Sequence, residues 1–225
     1  MNIEGSIART TVSDAVYRRL RDQILGSGAE PGAPLPSERT LSETFGVNRH
    51  AVREAIKRLQ QAGLVTVVHG GATRVTDWRR EGGPELLVAV ASGLESGDRT
   101  RLAQQIVDAR AATAKLLVEG AAGSSDFDSG AAEAVTGASD EAAVTAYRDL
   151  WRDIASASGN LAAQLTLNSL NAGLDALENE GLAVFEAEAG RHDAITSLVS
   201  AIAGGDGAAA QSAAADVFAS QAVRV

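Results

Sequence analysis

Residues 46–59 read GVNRHAVREAIKRL and set four basic side chains and a histidine into fourteen positions. The whole chain carries a formal net charge of -9, so this concentration of positive charge needs a local reason. Arg49, Arg53 and Lys57 recur every four residues, with His50 beside them, and Val52, Ala55, Ile56 and Leu59 form a second stripe. At ~100° per residue the two stripes lie roughly 120° apart. Such a helix buries one side and offers cations on another. Arginine carries parallel N–H donors that match the two acceptors of a guanine edge or the oxygens of a phosphate. The chemistry suggested is recognition of a polyanion, nucleic acid above all. A basic flank also has a plainer reading as a solvated helix face, and the neighbouring elements decide between the two.

Those elements arrive in a telling order. SDAVYRRLRDQIL, residues 13–25, predicts a helix capped by Ser13 or Asp14, with Val16, Leu20 and Ile24 on one face. GSGAEPGAPLP is a glycine- and proline-rich loop. SERTLSETF predicts a short helix with Ser37 as N-cap and Leu41 and Phe45 on one face. Gly46 stops it, Asn48 opens the basic helix, and Gly63 ends that helix after Ala62. Two helices joined by a tight turn, the second with an exposed basic flank, are a helix-turn-helix whose second helix can enter a major groove. Residues 65–68 and 73–75 are β-branched runs around His69-Gly70-Gly71 and predict a hairpin, a wing behind the helices, with Arg74 just behind its tip. Turn, stripe and wing together favour DNA binding over a solvated face.

The rest of the chain differs in charge. Residues 1–80 hold 12 Lys+Arg and 8 Asp+Glu, a net of +4, whereas residues 81–225 carry a net of -13. This asymmetry predicts two domains with different partners: a DNA-binding domain over 1–78, a linker over 79–83 (RREGG), and a helical ligand-binding and dimerisation domain over 84–225. The acidic part cannot bind DNA. Cysteine is absent, which excludes disulfides, Cys-based zinc sites and a catalytic thiol. The N-terminus shows no signal-peptide pattern, and no apolar run reaches the length of a membrane span. A cytoplasmic protein without membrane association is expected.

Helices are predicted over 84–94, 99–121, 129–136, 140–158, 161–180, 182–204 and 206–222, with no strand signal among them, as an antiparallel bundle of six or seven. Aromatics make up only 4% of the chain, so small-residue packing is expected. Polar residues interrupt the apolar faces. Arg110 sits amid Leu102, Ile106, Thr113 and Leu117, and Tyr147 shares a stripe with Leu150, Trp151 and Ile154. Asn168 follows Leu161 and Leu165, and His192 precedes Ile195, Val199 and Ile202. Buried polar groups need partners, so Arg110, Tyr147, Trp151, Asn168 and His192 are candidate ligand contacts from four helices. Each has a plainer reading: a carboxylate partner for Arg110, simple core for Tyr147 and Trp151, a helix bridge for Asn168, a satisfied core histidine for His192.

The segment PGAPLPSERTLSETFGVNRHAVREAIKRLQQAGLVTVVHG resembles the winged helix-turn-helix of GntR-type bacterial transcription regulators over residues 12–76. Its carriers are Leu35-Pro36-Ser37-Glu38-Arg39, Gly46-Val47, Val52-Arg53-Glu54-Ala55 and Gly63-Leu64, and the wing VVHGGATRVTDW looks closer to the fatty-acid-regulator (FadR) subfamily than to the family at large. The resemblance implies that Arg39, Arg49 and Arg53 contact DNA bases or phosphates. It places Asn48, His50 and Ala51 at the other recognition positions and sends His69 and Gly70 to the minor groove.

Residues 149–170, with the Ser158-Gly159-Asn160 corner, resemble the same subfamily and the wider FCD effector domains. Many FCD domains bind a metal through one Asp and three His. Those positions fall on Tyr147, Trp151, His192 and near Val217, so no metal site is expected here. The FadR subfamily binds long-chain fatty acyl-CoA, and Arg110 falls where it has an arginine near the ligand. The last helix, ADVFASQAVRV, lacks that subfamily's Gly-x-Glu-Ser segment and tryptophan.

The resulting expectation is a mainly α protein: an N-terminal winged helix-turn-helix with a small β-hairpin and a C-terminal all-α effector bundle. As a homodimer it would bind a double-stranded, pseudo-palindromic operator, with no resident cofactor, and long-chain acyl-CoA or another carboxylate would release it. A sensor of another carboxylate, with or without a metal, is the alternative. An enzyme is not expected, because no nucleophile stands beside a base and no Gly-x-Ser-x-Gly elbow occurs.

Overall fold

The computed structural model describes residues 11–26, 29–67, 72–94 and 96–219. The chain divides into two compact units, Met1–Gly93 and Leu94–Val225.

The first unit runs α1 (Val12–Gly26), α2 (Glu38–Phe45), α3 (Arg49–Gln61), β1 (Val65–Val67), β2 (Thr73–Val75), α4 (Trp78–Glu81), a 3-10 turn (Pro84–Leu86) and α5 (Leu87–Ala91). Helix α1 starts one residue before the expected caps. Thr11 is its cap: its backbone N–H donates to Asp14 Oδ2 at 2.8 Å, and the Asp14 N–H donates to Thr11 Oγ1 at 3.2 Å. This reciprocal pairing needs the acid three residues after the hydroxyl, so Asp14 belongs in the first turn. Hydrogen bonds from Thr11, then the Arg58 guanidinium, hold the Asp14 carboxyl down at about 2.

The predicted apolar stripes all point into one core. Val16, Leu20 and Ile24 of α1 meet Leu41 of α2, Val52, Ala55, Ile56 and Leu59 of α3, and Leu64, Val65 and Val75 beside the hairpin. Burying each large aliphatic side chain stabilises by roughly 1.5–3 kcal/mol. The antiparallel register is Val65↔Val75, Thr66↔Arg74 and Val67↔Thr73. Residues 32–35 add to the far edge of β2, because Gly32 and Leu35 donate to Val75 and Thr73 oxygens at 2.8 Å and Val75 donates back to Ala33. The hairpin tip, with His69 and Gly70, lies outside the described residues.

Leu86 is 4% exposed and belongs to this same core, with Trp78 and Val90 packed against it. The division between units therefore falls at Gly93, beyond the Gly82-Gly83 pair that reads as a linker in the sequence.

The second unit is entirely helical among the described residues: α6 (Ser96–Ala121), α7 (Ala131–Thr136), α8 (Asp140–Ala157), α9 (Leu161–Asp175), α10 (Asn179–Ala189), α11 (His192–Ala203) and α12 (Gly207–Phe218). Helix α6 is the axis, packed against α8, α9, α10 and α12. It buries Ala103, Ile106, Val107, Ala114, Leu117, Val118 and Ala121, while α12 answers with Ala210, Ala213 and Ala214. Small side chains let these helices approach closely, as the composition predicts.

Two expected helices are interrupted. The helix expected over 161–180 ends at Asp175, and the one expected over 182–204 is divided by Gly190 and Arg191. Gly181 explains the first break. A Cβ there would lie 1.9 Å from the Leu174 carbonyl oxygen, so α10 starts hard against the end of α9. Glu178, at φ 52°, makes the corner.

Gly46 and Gly181 should therefore respond differently to alanine. At Gly46 φ is +64° but nothing lies within 4 Å of the added carbon, so Gly46→Ala should cost about 1–2 kcal/mol from backbone conformation alone. Gly181→Ala must displace backbone and should cost more. Amide exchange of the full chain, read separately in the two units, checks both, and equal losses would contradict this account.

Candidate nucleic-acid interface and buried polar cluster

Three local devices bound α2 and the turn that leads from it into α3. Ser37 Oγ accepts the Thr40 N–H at 3.1 Å and caps α2. Gly46 takes the left-handed conformation, and its N–H bonds the Ser42 carbonyl. Asn48 Oδ1 accepts the Ala51 N–H at 2.9 Å and caps α3. All three agree with the sequence reading. They fix the direction in which α3 leaves the turn.

Its buried stripe then determines what faces out. Arg49, His50, Arg53 and Lys57 are exposed, as is Asn48. Ala51 is corrected: it is 6% exposed and counts with the core, because at 100° per residue it lies next to the Ala55 stripe. Its methyl cannot serve as an open recognition contact. Arg58, the fourth base of the segment, turns to α1, where it pairs with Asp14 and stacks 4.4 Å from the Tyr17 ring centroid.

Arg53 is held from outside its own helix. Its Nε donates to both Glu38 oxygens at 3.1 and 3.2 Å, and Nη2 donates to Oε2 at 2.7 Å. The bonds from Arg53 lower the Glu38 carboxyl, and those to Glu38 raise the Arg53 guanidinium. Glu38 thus aims Arg53 across the turn. Residue typing alone does not reveal this, because a separation of fifteen positions across a turn matches no helical spacing. Arg39 lies on α2, exposed and paired with Glu43 at 3.2 Å. Arg74 donates from Nη1 to the Gly32 carbonyl at 2.7 Å, tying the wing to the loop before α2.

The second unit brings together only part of the expected ligand set. Arg110, 1% exposed, donates from Nη1 to both oxygens of Glu188 at 2.7 and 2.8 Å, and from Nε to Asn171 Oδ1 at 2.9 Å. Tyr147 OH donates to Glu188 Oε2 at 3.0 Å. The Phe185 and Phe218 rings stand 4.9 and 5.0 Å from the guanidinium carbon. Trp151 packs on Phe218 with ring centroids 5.0 Å apart, and its indole Nε1 is buried without a hydrogen-bond partner. Burial pushes the Glu188 carboxyl up, with Arg110 pulling against it, and pushes the Tyr147 hydroxyl well up. For Arg110, burial pulls the guanidinium down more than any single partner raises it, but the charges of and hydrogen bonds to Glu188 and Tyr147 together outweigh it and push the guanidinium up.

Asn168 and His192 do not join the cluster. Both are exposed, as are Leu161 and Leu165 at 65% and 57%. The buried side of α9 runs instead through Ala163, Leu167, Leu170 and Leu174, and Asn171 supplies the amide. His192 is the first residue of α11, and with Asp140 and Glu186 it lines an open surface groove. Glu188 is the residue missed. Its neighbours in EAEAG suggest a solvated acidic face. The signal lay in Arg110, whose plainer reading required a buried carboxylate partner.

Comparison with known proteins agrees with this geometry. Residues 12–75 match the model of the bacterial regulatory proteins of the gntR family. The HTH-type transcriptional regulator Mce2R of Mycobacterium tuberculosis is 47% identical over 81 residues, covering 36% of this chain and 34% of that protein. The fatty acid metabolism regulator protein of Erwinia tasmaniensis is 31% identical over 154 residues, 66% of this chain and 63% of its own. That of Shewanella halifaxensis is 34% identical over 142 residues, 61% of this chain and 59% of its own. The chain thus spans about a third of the mycobacterial relative and under two thirds of the others. In overall fold it is similar to Lar, which controls the expression of the Listeria monocytogenes agr system, with a TM-score of 0.52, 17% identity and 95% of each chain covered.

Two outcomes follow from these contacts. Glu38→Gln should leave Arg53 unaimed, lowering the ratio of operator to random-sequence binding, while Arg53→Ala should weaken binding to an operator selected in vitro by about 5- to 150-fold. Equal affinity in both variants would place the recognition surface elsewhere. In the second unit, Arg110→Leu alone should cost about 3–5 kcal/mol, and Arg110→Leu with Glu188→Leu should recover most of it. Urea unfolding followed by Trp151 fluorescence distinguishes the two.

Proposed function

Taking as premise that residues 12–75 are a GntR-family DNA-binding domain, we propose that the chain is a transcription regulator that binds a pseudo-palindromic operator as a homodimer and releases it on binding a small anionic effector. Long-chain fatty acyl-CoA is the first candidate effector. The observation that carries the DNA-binding part is the outward flank of α3, with Arg49, His50, Arg53 and Lys57 exposed opposite a fully buried stripe. Its N-terminal residues meet base edges, while Arg39 and the wing reach the backbone or minor groove. Two copies related by a two-fold axis would present two such helices to two half-sites.

Support for the effector comes from two directions. The relatives called fatty acid metabolism regulators match this chain beyond the winged helix, over 142 and 154 residues. Arg110, flanked by Phe185 and Phe218, offers a cation beside apolar walls, which suits an anion with a hydrocarbon chain. The hold of Arg110 Nη1 on both oxygens of Glu188 equally favours another carboxylate metabolite as effector. The positions where FCD domains carry an aspartate and a first histidine hold Tyr147 and Trp151, which offers no comparable metal ligands. The relatives are regulators, not enzymes.

Palmitoyl-CoA should weaken operator binding by the purified full chain at least about tenfold, in line with the usual size of coupling between two sites. A gel shift with and without the ligand checks this. Operator binding that survives saturating palmitoyl-CoA would retain the DNA-binding function and discard the acyl-CoA effector.

A further inference from the structure

The polar cluster of the second unit holds more donors than its single carboxylate can use. Arg110 comes from α6, Tyr147 and Trp151 from α8, and all are 2% exposed or less. Glu188, from α10, accepts two bonds from Arg110 and one from Tyr147. The Trp151 indole N–H beside them makes no well-formed hydrogen bond and has only the Tyr147 hydroxyl near it. A buried donor left unpaired loses its hydration and gains nothing in return. Convergent donors, an orphan N–H and two phenyl walls describe a site for an amphipathic anion. In this structure a side chain of the protein itself sits where that anion would be.

We propose that Glu188 is the internal occupant of this anion site, and that an acyl effector binds by displacing the Glu188 carboxylate from Arg110, which takes up one proton as it leaves. The inference rests on the reading that the effector is an anion bound in the second unit. Displacement exchanges the Glu188 carboxylate for the effector's own anionic group, a carboxylate of a fatty acid or a phosphate of an acyl-CoA, beside the same guanidinium. Glu188 then remains among Phe185, Phe218 and Trp151 without its cation, and an unpaired carboxylate in such surroundings takes a proton. The groups facing it fix the balance. Arg110 is its cation on α6, Tyr147 is neutral on α8, and Arg191 follows the end of α10. Helices α9 and α12 contribute the neutral Asn171 and Phe218. Arg148 stacks on Phe185 and is bound to Asp175, so it is not free to replace Arg110. Arg191 also favours the charged Glu188, but its guanidinium is bound to the Asp216 and Ala219 carbonyls and donates no hydrogen bond to it, and the proton comes from solvent.

Isothermal titration of the full chain with lauroyl-CoA, and with laurate, tests this in two buffers of different ionisation enthalpy. The wild type should take up about one proton more per ligand than Glu188→Gln, and its affinity should fall about tenfold per unit rise in pH. Glu188→Gln should bind more tightly near neutral pH, its difference from wild type cancelling protons that belong to the ligand. Tyr147→Phe removes one bond that holds Glu188 but leaves the ion pair and the packing, so it should bind several-fold more tightly with proton uptake retained. Binding that is equally tight in wild type and both variants, with equal proton uptake, would overturn the role of Glu188 and leave the effector reading intact. Absence of binding to all three proteins would overturn the anionic effector itself, and this inference with it.

Discussion

A guanidinium taken out of water must be neutralised where it sits. Arg110 occupies the middle of the longest helix, on a face otherwise made of Ala103, Ile106, Ala114 and Leu117. Helices α8, α9, α10, α11 and α12 all pack against α6, and three of them supply the groups that make its burial tolerable: Asn171 from α9, Glu188 from α10 and the Phe218 ring from α12. The desolvation of such a pair roughly cancels its attraction. Its main contribution is therefore to position: any packing that moves one of these helices strands a charge.

The winged unit obeys a different constraint. One short helix, α3, must serve two surfaces, and its turn of 3.6 residues leaves little freedom. Val52, Ala55, Ile56 and Leu59 fix its roll against α1, and the exposed arc is then left to Asn48, Arg49, His50, Arg53 and Lys57. Ala51 shows how narrow that arc is, since one residue's step from His50 already enters the core. Glu38 and Asp14 then sort the basic residues, one aiming Arg53 outward and the other folding Arg58 against Tyr17.

Most of the first unit was legible because its signals are local. Ser37, Gly46 and Asn48 act within three or four residues, and the two β-branched runs pair as Val65–Val67 with Thr73–Val75. The second unit was legible as helices and less so as partners. Tyr147, Leu150, Trp151 and Ile154 were readable as one buried stripe, and Arg110 as a buried cation. Asn168 and Asn171 differ by three positions on an alanine- and leucine-rich helix, where periodicity has little contrast and the wrong side is easily chosen. Glu188 is separated from Arg110 by 78 positions, and no spacing rule reaches that far. The break at Asp175 depends on the close approach of backbones at Gly181, which becomes visible only when the helices are packed.

Leu86 gives the first unit an unexpected edge. It lies beyond Gly82 and Gly83, yet it shares a core with Val16, Leu20 and Leu59. The stretch that looks most like a seam in the sequence is thus the inside of a clasp. Among chains that exchange reading heads and effector modules by recombination, a crossover at the glycine pair would separate a head from part of its own interior. A crossover just after Gly93 would transfer the head whole. The inheritable piece of this architecture is longer than its motif, and the additional residues complete its packing.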